Sequence, residues 1–320
     1  MGDSGMKRSG QSRKDPKVQM RTKRTPYFNS VISSQQITHV DPEKGRTLPC
    51  NFIKHRLNVG TWNVLSLESS SSKLFELSQS VSKYRMDVLG LTETHRPGTG
   101  EVILDNGSLF INSGRADGYR RQGVGLVLSK AVRNSLISYT PISERVLTAR
   151  LHSRHINISV VVAYAPTEDA ADGVKDEFYQ QLSGAFDELP GHDVKFLLGD
   201  FNARIGRDNS SWSGIIGQES LHDSSNDNGL RLLEFCTMYQ LTIGGTLFQH
   251  RDIHKGTWRS PNGQTVTQID HICISTKWSH SLLDVRFYRG ADIGSDHYLV
   301  KSLVRIKLMA VKKIQASCKK

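Results

Sequence analysis

Residues 156–164 alternate apolar and other positions and then become wholly apolar, with Ile156, Ile158, Val160 and Val162 on one face, which predicts a strand. Apolar stretches predict further strands over residues 57–62, 87–92, 124–128, 146–151 and 194–198. Residues 102–112 read as strand segments with a turn at Asn106-Gly107. Later strands are expected over 257–260, 266–275 after an Asn262-Gly263 turn, 285–288 and 298–308. In the last of these, Val300, Ser302, Val304, Ile306 and Leu308 share one face, and Lys301, Arg305 and Lys307 the other. Helical spacing appears three times. Leu74, Leu77, Val81 and Tyr84 form one stripe behind a serine-rich stretch that supplies caps, and residues 228–239 form another segment. Between them Val174, Phe178, Leu182 and Phe186 recur every four residues until Pro190-Gly191 stops the helix.

About ten strands with about three helices interspersed, without strict βαβ alternation, argue against a doubly wound parallel sheet. Two packed mixed sheets flanked by helices, an α/β sandwich, fit better. No repeat of roughly 20 to 50 residues is visible, which argues against solenoids and propellers. Residues 1–54 mix Lys and Arg with Ser, Gln, Thr and Pro without periodicity and are expected to be a largely disordered basic tail. The folded domain is expected over 55–308, followed by a second basic tail, 309–320.

A chain of 320 residues can bury a full core without disulfides. Its four cysteines, Cys50, Cys236, Cys273 and Cys318, stand far apart with no CxxC spacing, and no apolar signal core begins the chain. An intracellular, reducing compartment is therefore expected. The longest apolar run, residues 160–165, is far short of the roughly 20 residues of a membrane-spanning helix. The formal charge is +11, and it lies at the ends. Residues 1–30 carry eight Lys/Arg against two Asp, and residues 301–320 carry seven Lys/Arg and no acid. The span between them holds 27 basic and 29 acidic side chains. Two cationic ends on a nearly neutral body add sequence-independent affinity for a polyanion, unless they are ordinary solvated tails.

The chemistry sits where the apolar runs end. Thr61-Trp62-Asn63, Thr92-Glu93-Thr94, Gly199-Asp200-Phe201-Asn202 and Ile269-Asp270-His271 each attach acid or amide groups to a predicted strand, and Ser295-Asp296-His297 precedes the final one. Singly each has a plain explanation: Asn63 capping a turn, Glu93 capping a helix, Asp270 pairing with an arginine. Together, carboxylates gathered at one sandwich edge repel unless a cation or a protonated histidine lies among them. Mg²⁺ suits hard oxygen ligands, and no Cys/His cluster points to zinc. A phosphate ester is the implied substrate.

These five motifs, TWN, TETH, GDFNA, IDHI and SDH, in this order across most of the chain, resemble the endonuclease/exonuclease/phosphatase superfamily typified by exonuclease III and DNase I. Within it the sequence is most similar to the apurinic-like endonuclease domain of RTE-type (bovine-B-like) non-LTR retrotransposons and its host-derived relatives. The resemblance implies a four-layer α/β sandwich and a Mg²⁺-dependent endonuclease, with Mn²⁺ as a substitute ion, that nicks DNA to leave a 3′-hydroxyl and a 5′-phosphate. By the same resemblance, Glu93 is the main metal ligand with Asn63 and Asp296 beside it. Asp200 orients or deprotonates the attacking water, and Asn202 holds that water or a phosphate oxygen. His297 contacts the scissile phosphate while Asp270 fixes its tautomer. Tyr164 contacts phosphate, and Trp258 and Arg204 face DNA, although a core indole would explain Trp258 equally.

Leu65 departs from the pattern, because members close to exonuclease III usually carry Asp there; strong activity at apurinic sites is therefore not expected. The alternatives are a domesticated chromatin or nucleic-acid-binding protein with little turnover, and a phosphoesterase of this fold acting on a non-DNA substrate. The chain ends soon after the SDH segment, so a nuclease without a following reverse transcriptase is expected. The basic ends, including Lys23-Arg24, suit a nuclear location.

Overall fold

A computed structural model describes residues 37–38, 56–68 and 72–306. The rest of the predicted N-terminal tail, the whole C-terminal tail, Leu308, Cys50 and Cys318 lie outside the described residues. In chain order the elements are β1 (Ile37–Thr38), β2 (Leu57–Asn63), α1 (Ser72–Lys83), β3 (Val88–Thr92), β4 (Thr99–Ile103), β5 (Leu109–Ser113) and β6 (Val124–Leu128). Next come β7 (Leu136–Pro141), β8 (Val146–Leu151), β9 (Ile158–Tyr164), α2 (Asp172–Asp187), β10 (Val194–Asp200), α3 (Asp227–Met238) and β11 (Leu241–Ile243). The last are β12 (Trp258–Arg259), β13 (Val266–Thr267), β14 (Asp270–Ser275), β15 (Leu282–Tyr288) and β16 (Leu299–Val304).

Two seven-stranded sheets form, ordered β15-β16-β2-β3-β6-β5-β4 and β1-β7-β8-β9-β10-β14-β11, with β12 and β13 as a separate hairpin. Each sheet contains one parallel pair, β2/β3 and β9/β10, amid antiparallel neighbours. Parallel neighbours need a crossover, and a helix supplies it in both: α1 between β2 and β3, α2 between β9 and β10. The sheets face one another across a core that includes Val59, Leu126, Val160, Val162, Phe196 and Leu198. The opposite faces are covered separately. Leu77 and Val81 of α1 pack with Leu89 and Leu91, while Phe178, Phe186, Leu232 and Phe235 of α2 and α3 pack with Val161 and Leu197. This is the four-layer α/β sandwich expected from the sequence. Burial on both faces explains why residues 160–163 and 196–198 are uninterruptedly apolar. Each fully buried Leu or Phe there contributes roughly 1.5–3 kcal/mol.

Several local expectations change. The predicted strand 266–275 divides into β13 and β14, because the Thr257 hydroxyl accepts both the Ile269 and Asp270 amides, at 2.9 and 3.1 Å. Strands β7 and β11 and the edge strand β1 were not expected. Val174 faces solvent, 48% exposed, because residue 174 lies to one side of the buried stripe of α2, which runs through Lys175, Phe178, Leu182, Ala185 and Phe186. Lys175 is buried there instead, its ammonium donating to the Glu168 carbonyl at 2.6 Å and to Asp227 at 3.0 Å. Cys236 and Cys273 are free and buried. Among the described residues no helix is long and apolar enough to cross a membrane.

Candidate active site

The topology gathers the polar strand ends. Asn63 closes β2, Glu93 follows β3, and Tyr164 and Asp200 close β9 and β10, all four strands pointing the same way within their parallel pairs. Asp270 opens β14, antiparallel to β10, so Asp200 and Asp270 are register partners. His297 lies just before β16, which runs antiparallel to β2. Glu93, Tyr164, Asp200, Asn202, Arg204, Trp258, Asp296 and His297 line one open cleft of about 350 Å³. Asn63 and Asp270 sit beneath it, shut from solvent. All ten residues singled out in the sequence thus meet at one end of the sandwich.

Left-handed backbone at non-glycine residues shapes the rim. Leu65, Ser66, Glu93, His95, Gln122 and Asn202 have φ of 45, 92, 53, 54, 59 and 49°. Such conformations cost on the order of 1 kcal/mol or more each and persist where neighbours over-determine them. Here they do: the Val64, Ser66 and Leu67 amides donate to the carbonyls of Thr92, Glu93 and Thr94, and those of Thr94 and His95 donate to Gly123 and Gln122. The β2 and β3 ends therefore stay paired while curling, which turns the Glu93 side chain into the cleft.

A network ties the acids together. The Asn63 amide nitrogen donates to Glu93 Oε1 and to Asp200 Oδ2, both at 2.9 Å, and its oxygen accepts the Leu65 amide at 3.1 Å. The Tyr164 hydroxyl donates to the same Glu93 oxygen at 2.8 Å. Burial, with Glu93 and Asp200 nearby, pushes that phenol above the usual tyrosine range, so it stays a neutral donor. Arg145 lies 5.1 Å over the Tyr164 ring and donates to its carbonyl. Asp200 Oδ1 accepts the Asn202 amide at 3.0 Å. Burial and the neighbouring Asp270 raise the Asp200 carboxyl to about 7, against opposing pulls from His297, the Asn202 amide and Asn63.

His297 Nδ1 is 2.9 Å from Asp270 Oδ2. Burial alone would lower the imidazole, but Asp270, Asp200 and Asp296 outweigh it and lift it to about 9, so the ring is cationic at neutral pH. Its Nε2 lies 3.8 Å from Asp200 Oδ2 and 3.9 Å from Asp296 Oδ1, beyond hydrogen-bond range. Ser295 anchors this turn to β2, its hydroxyl donating to the Asn63 carbonyl while accepting the His297 amide. Trp258 is neither core nor free: half-buried at the cleft, its indole N–H donates to Asp296 Oδ2 at 2.7 Å. The exposed Arg204 guanidinium makes no hydrogen bond or ion pair among the described residues.

Asp200, Asp270 and His297 each place one ligand-type atom within 4.8 Å of the others. The His297–Asp270 hydrogen bond occupies that trio with an internal ion pair. Oxygens without a donor remain elsewhere: Glu93 Oε2 accepts no hydrogen bond, with His95 Nε2 3.5 Å away, and Asp296 Oδ1 is buried without a partner. Hard oxygen donors in a cleft lined by four carboxylates fit a hard divalent cation.

Two further residues of the cleft were not found in the sequence. Glu168 and Asn226 bond one another at 2.7 Å and hold the start of α3. Each alone reads as a solvated polar residue; only Asn226-Asp227, a capping signal before a helical stripe, hinted at a role.

A profile of the Endonuclease/Exonuclease/phosphatase family matches residues 60–297. Craniofacial development protein 2 of Bos taurus is 35% identical over 260 residues, 81% of this chain and 43% of that protein. Its Tragulus javanicus counterpart is 34% identical over 260 residues, again 81% of this chain and 44% of that protein. The chain thus spans under half the length of these curated relatives. Among solved structures, the endonuclease domain of TRAS1, a telomere-specific non-LTR retrotransposon, superimposes with a TM-score of 0.54 at 14% identity, covering 79% of this chain and all of that one. The AP endonuclease LMAP of Leishmania major superimposes with a TM-score of 0.59 at 14% identity, over 79% and 89% of the two chains. At such identities these likenesses show a shared fold.

Proposed function

This chain belongs to the endonuclease/exonuclease/phosphatase family, and we propose that it is a divalent-metal-dependent DNA endonuclease that nicks phosphodiester bonds to leave 3′-hydroxyl and 5′-phosphate ends. The observation that carries this reading is the meeting, in one open cleft, of a buried imidazolium with carboxylates whose surroundings differ. Asp200, its carboxyl raised above the usual range by burial and by Asp270, is suited to orient a water and accept its proton, and the Asn63 and Asn202 bonds fix both of its oxygens. His297 Nε2 has no hydrogen-bond partner, so its N–H is available to a non-bridging phosphate oxygen as charge grows there. Asp270 holds that ring by Nδ1 and balances its charge. Asn202, two residues beyond Asp200, lines the cleft where water or phosphate enters.

A phosphodiester approaching four carboxylates meets repulsion that Arg204 and His297 do not cancel, which supports a resident divalent ion. Glu93 would hold it, with Asp296 and Asn63 alongside, and Mg²⁺ or Mn²⁺ bound there would stabilise charge on the phosphoryl oxygens. Tyr164 then steadies the Glu93 carboxylate rather than leading the contact with phosphate. A polyanionic substrate is favoured by the free Arg204, by the cationic chain ends, and by an exposed loop that carries Tyr119, Arg120 and Arg121. That loop adjoins Glu93 through the Thr94–Gly123 and His95–Gln122 backbone bonds.

The test is nicking of a supercoiled plasmid by the purified chain with Mg²⁺, with Mn²⁺ and with EDTA, alongside RNA and inositol phosphates. Nicked circles with either ion and none with EDTA are expected. Asp200→Asn and His297→Ala should each lose about 10²- to 10⁴-fold while melting as wild type. Plasmid left intact with both ions, or near wild-type nicking by both variants, defeats the reading; preferential turnover of inositol phosphates moves the substrate away from DNA.

A further inference from the structure

The Asn202–Arg204 loop, which carries one candidate catalytic residue and the free guanidinium, is tied down at three points: Asp200 Oδ1 accepts the Asn202 amide, His271 Nε2 lies 2.7 Å from the Ala203 carbonyl, and one side chain, Asn226, bonds both ends of the loop. Asn226 Oδ1 accepts the Arg204 amide and the Gly229 amide, both at 2.8 Å. Its Nδ2 donates to the Asn202 carbonyl at 3.0 Å and to Glu168 Oε2 at 2.7 Å. All four hydrogen-bonding positions of the amide are therefore filled, two of them by the loop. Glu168 is fixed in turn, its carboxylate accepting the Asp227 and Asn228 amides at 3.0 and 3.2 Å. Its carbonyl is gripped by the buried Lys175. Loop and helix touch so closely that a Cβ on Gly229 would lie 2.0 Å from the Arg204 carbonyl oxygen.

Helix capping alone does not account for this residue. An N-cap needs one acceptor, which Ser or Asp supplies as well as Asn. The two Nδ2 bonds are surplus to the cap, and both run to the cleft side. We propose that Asn226, anchored by Glu168, is a positioning residue: it sets where Asn202 and Arg204 stand relative to Asp200. The proposal rests on the endonuclease reading above. Asn202 is held in a left-handed conformation, and the Asn226 bonds at its carbonyl and at the Arg204 amide restrain the loop that contains it.

Asn226→Ser separates the two roles, because serine keeps the cap acceptor and lacks the Nδ2 amide that makes both bonds to Asn202 and Glu168. The variant should melt within a few degrees of wild type yet lose about 10²-fold in kcat for nicking, the scale of a 1 Å misplacement, with KM changed by less than about threefold. Amides 202–205 should exchange faster in it. Glu168→Gln, which keeps one oxygen for the α3 amides, should show a smaller loss of kcat in the same direction. A kcat within about twofold of wild type in both variants, or loop exchange identical to wild type, overturns the positioning role. If wild-type protein leaves duplex uncut, the endonuclease reading fails by itself; the exchange measurement then decides the clamp alone, faster loop exchange supporting it and unchanged exchange overturning it.

Discussion

Gly199 precedes Asp200 in the GDFNA motif and takes no part in the chemistry, yet its replacement by alanine should cost most of the activity. Strands β9 and β10 pair in parallel with Gly199 opposite Ala163 and Asp200 opposite Tyr164. A Cβ at residue 199 would stand 1.8 Å from the Ala163 carbonyl oxygen and 2.8 Å from its carbon, where real Cβ contacts essentially never fall below 3.0 Å. Both obstacles are backbone, so no side chain can swing away. The strands must separate by on the order of 1 Å at the pair adjoining Asp200 and Tyr164, and displacement of that size costs about 10²-fold in rate. Lost ladder bonds and local strain together remove about 2–4 kcal/mol of stability. For a domain of this size that corresponds to a fall in Tm of about 5–15 °C. Single-turnover nicking of plasmid at saturating Mg²⁺, paired with a thermal melt of the same Gly199→Ala preparation, measures both. Wild-type Tm with nicking reduced by less than about threefold would refute the argument that backbone approach, rather than chemistry, demands glycine here.

Three other outcomes follow from the geometry. Trp258→Phe keeps the ring but strips Asp296 Oδ2 of its donor while Oδ1 already lacks one, so nicking should fall roughly tenfold in the plasmid assay with Tm nearly unchanged. His222 accepts the Gln268 amide at 3.1 Å, and burial, with Arg204, His271 and Arg207 nearby and only Asp223 opposing, holds its imidazole down to about 4. The unfolded chain then binds a proton below its usual value of about 6.5 that the fold refuses until about pH 4, so stability falls as pH drops through that window. Denaturant melts at about pH 7.5 and about pH 5 should show wild type losing about 1–2 kcal/mol more than His222→Gln, a magnitude reduced for partial solvent exposure. Phe196→Ala, emptying a wholly buried site between the sheets, should cost about 3–5 kcal/mol by denaturant titration.

The sequence showed its strands best where one or both faces are buried. Residues 156–164 and 194–198 announced themselves because apolar side chains serve the inter-sheet core on one face and the helix layer on the other. Strand β4 is exposed along its whole length, so only its end, from residue 102, was read, through the turn that follows it; β11 has three residues, too few to carry a period. The division of residues 266–275 could not be read for a different reason: the Thr257 hydroxyl that causes it comes from another segment. Val174 and Lys175 exchanged places because a strict four-residue spacing drifts from the 3.6-residue helical period, and the buried stripe follows 175, 178, 182 and 185.

The same distinction governs the site. Its charged members stood out because an acid or amide at the end of an apolar run is conspicuous against that run, and the sheet topology brings such ends together. Its supporting members did not. Asn226 and Glu168 act through backbone groups more than 20 and about 60 residues away in sequence, and a side chain that bonds distant amides leaves no local pattern. Nor did the left-handed residues at Leu65, Ser66, Glu93 and His95, since none is the glycine that ordinarily marks such a conformation. At Glu93 this cost falls on the residue best placed to hold a cation. An extended conformation would relieve it, but the paired loops on either side hold the backbone left-handed and keep the carboxylate turned toward Asn63, Tyr164 and the cleft. Local preference gives way at this position because the curled strand end, and not the residue's own propensity, decides where the acid points.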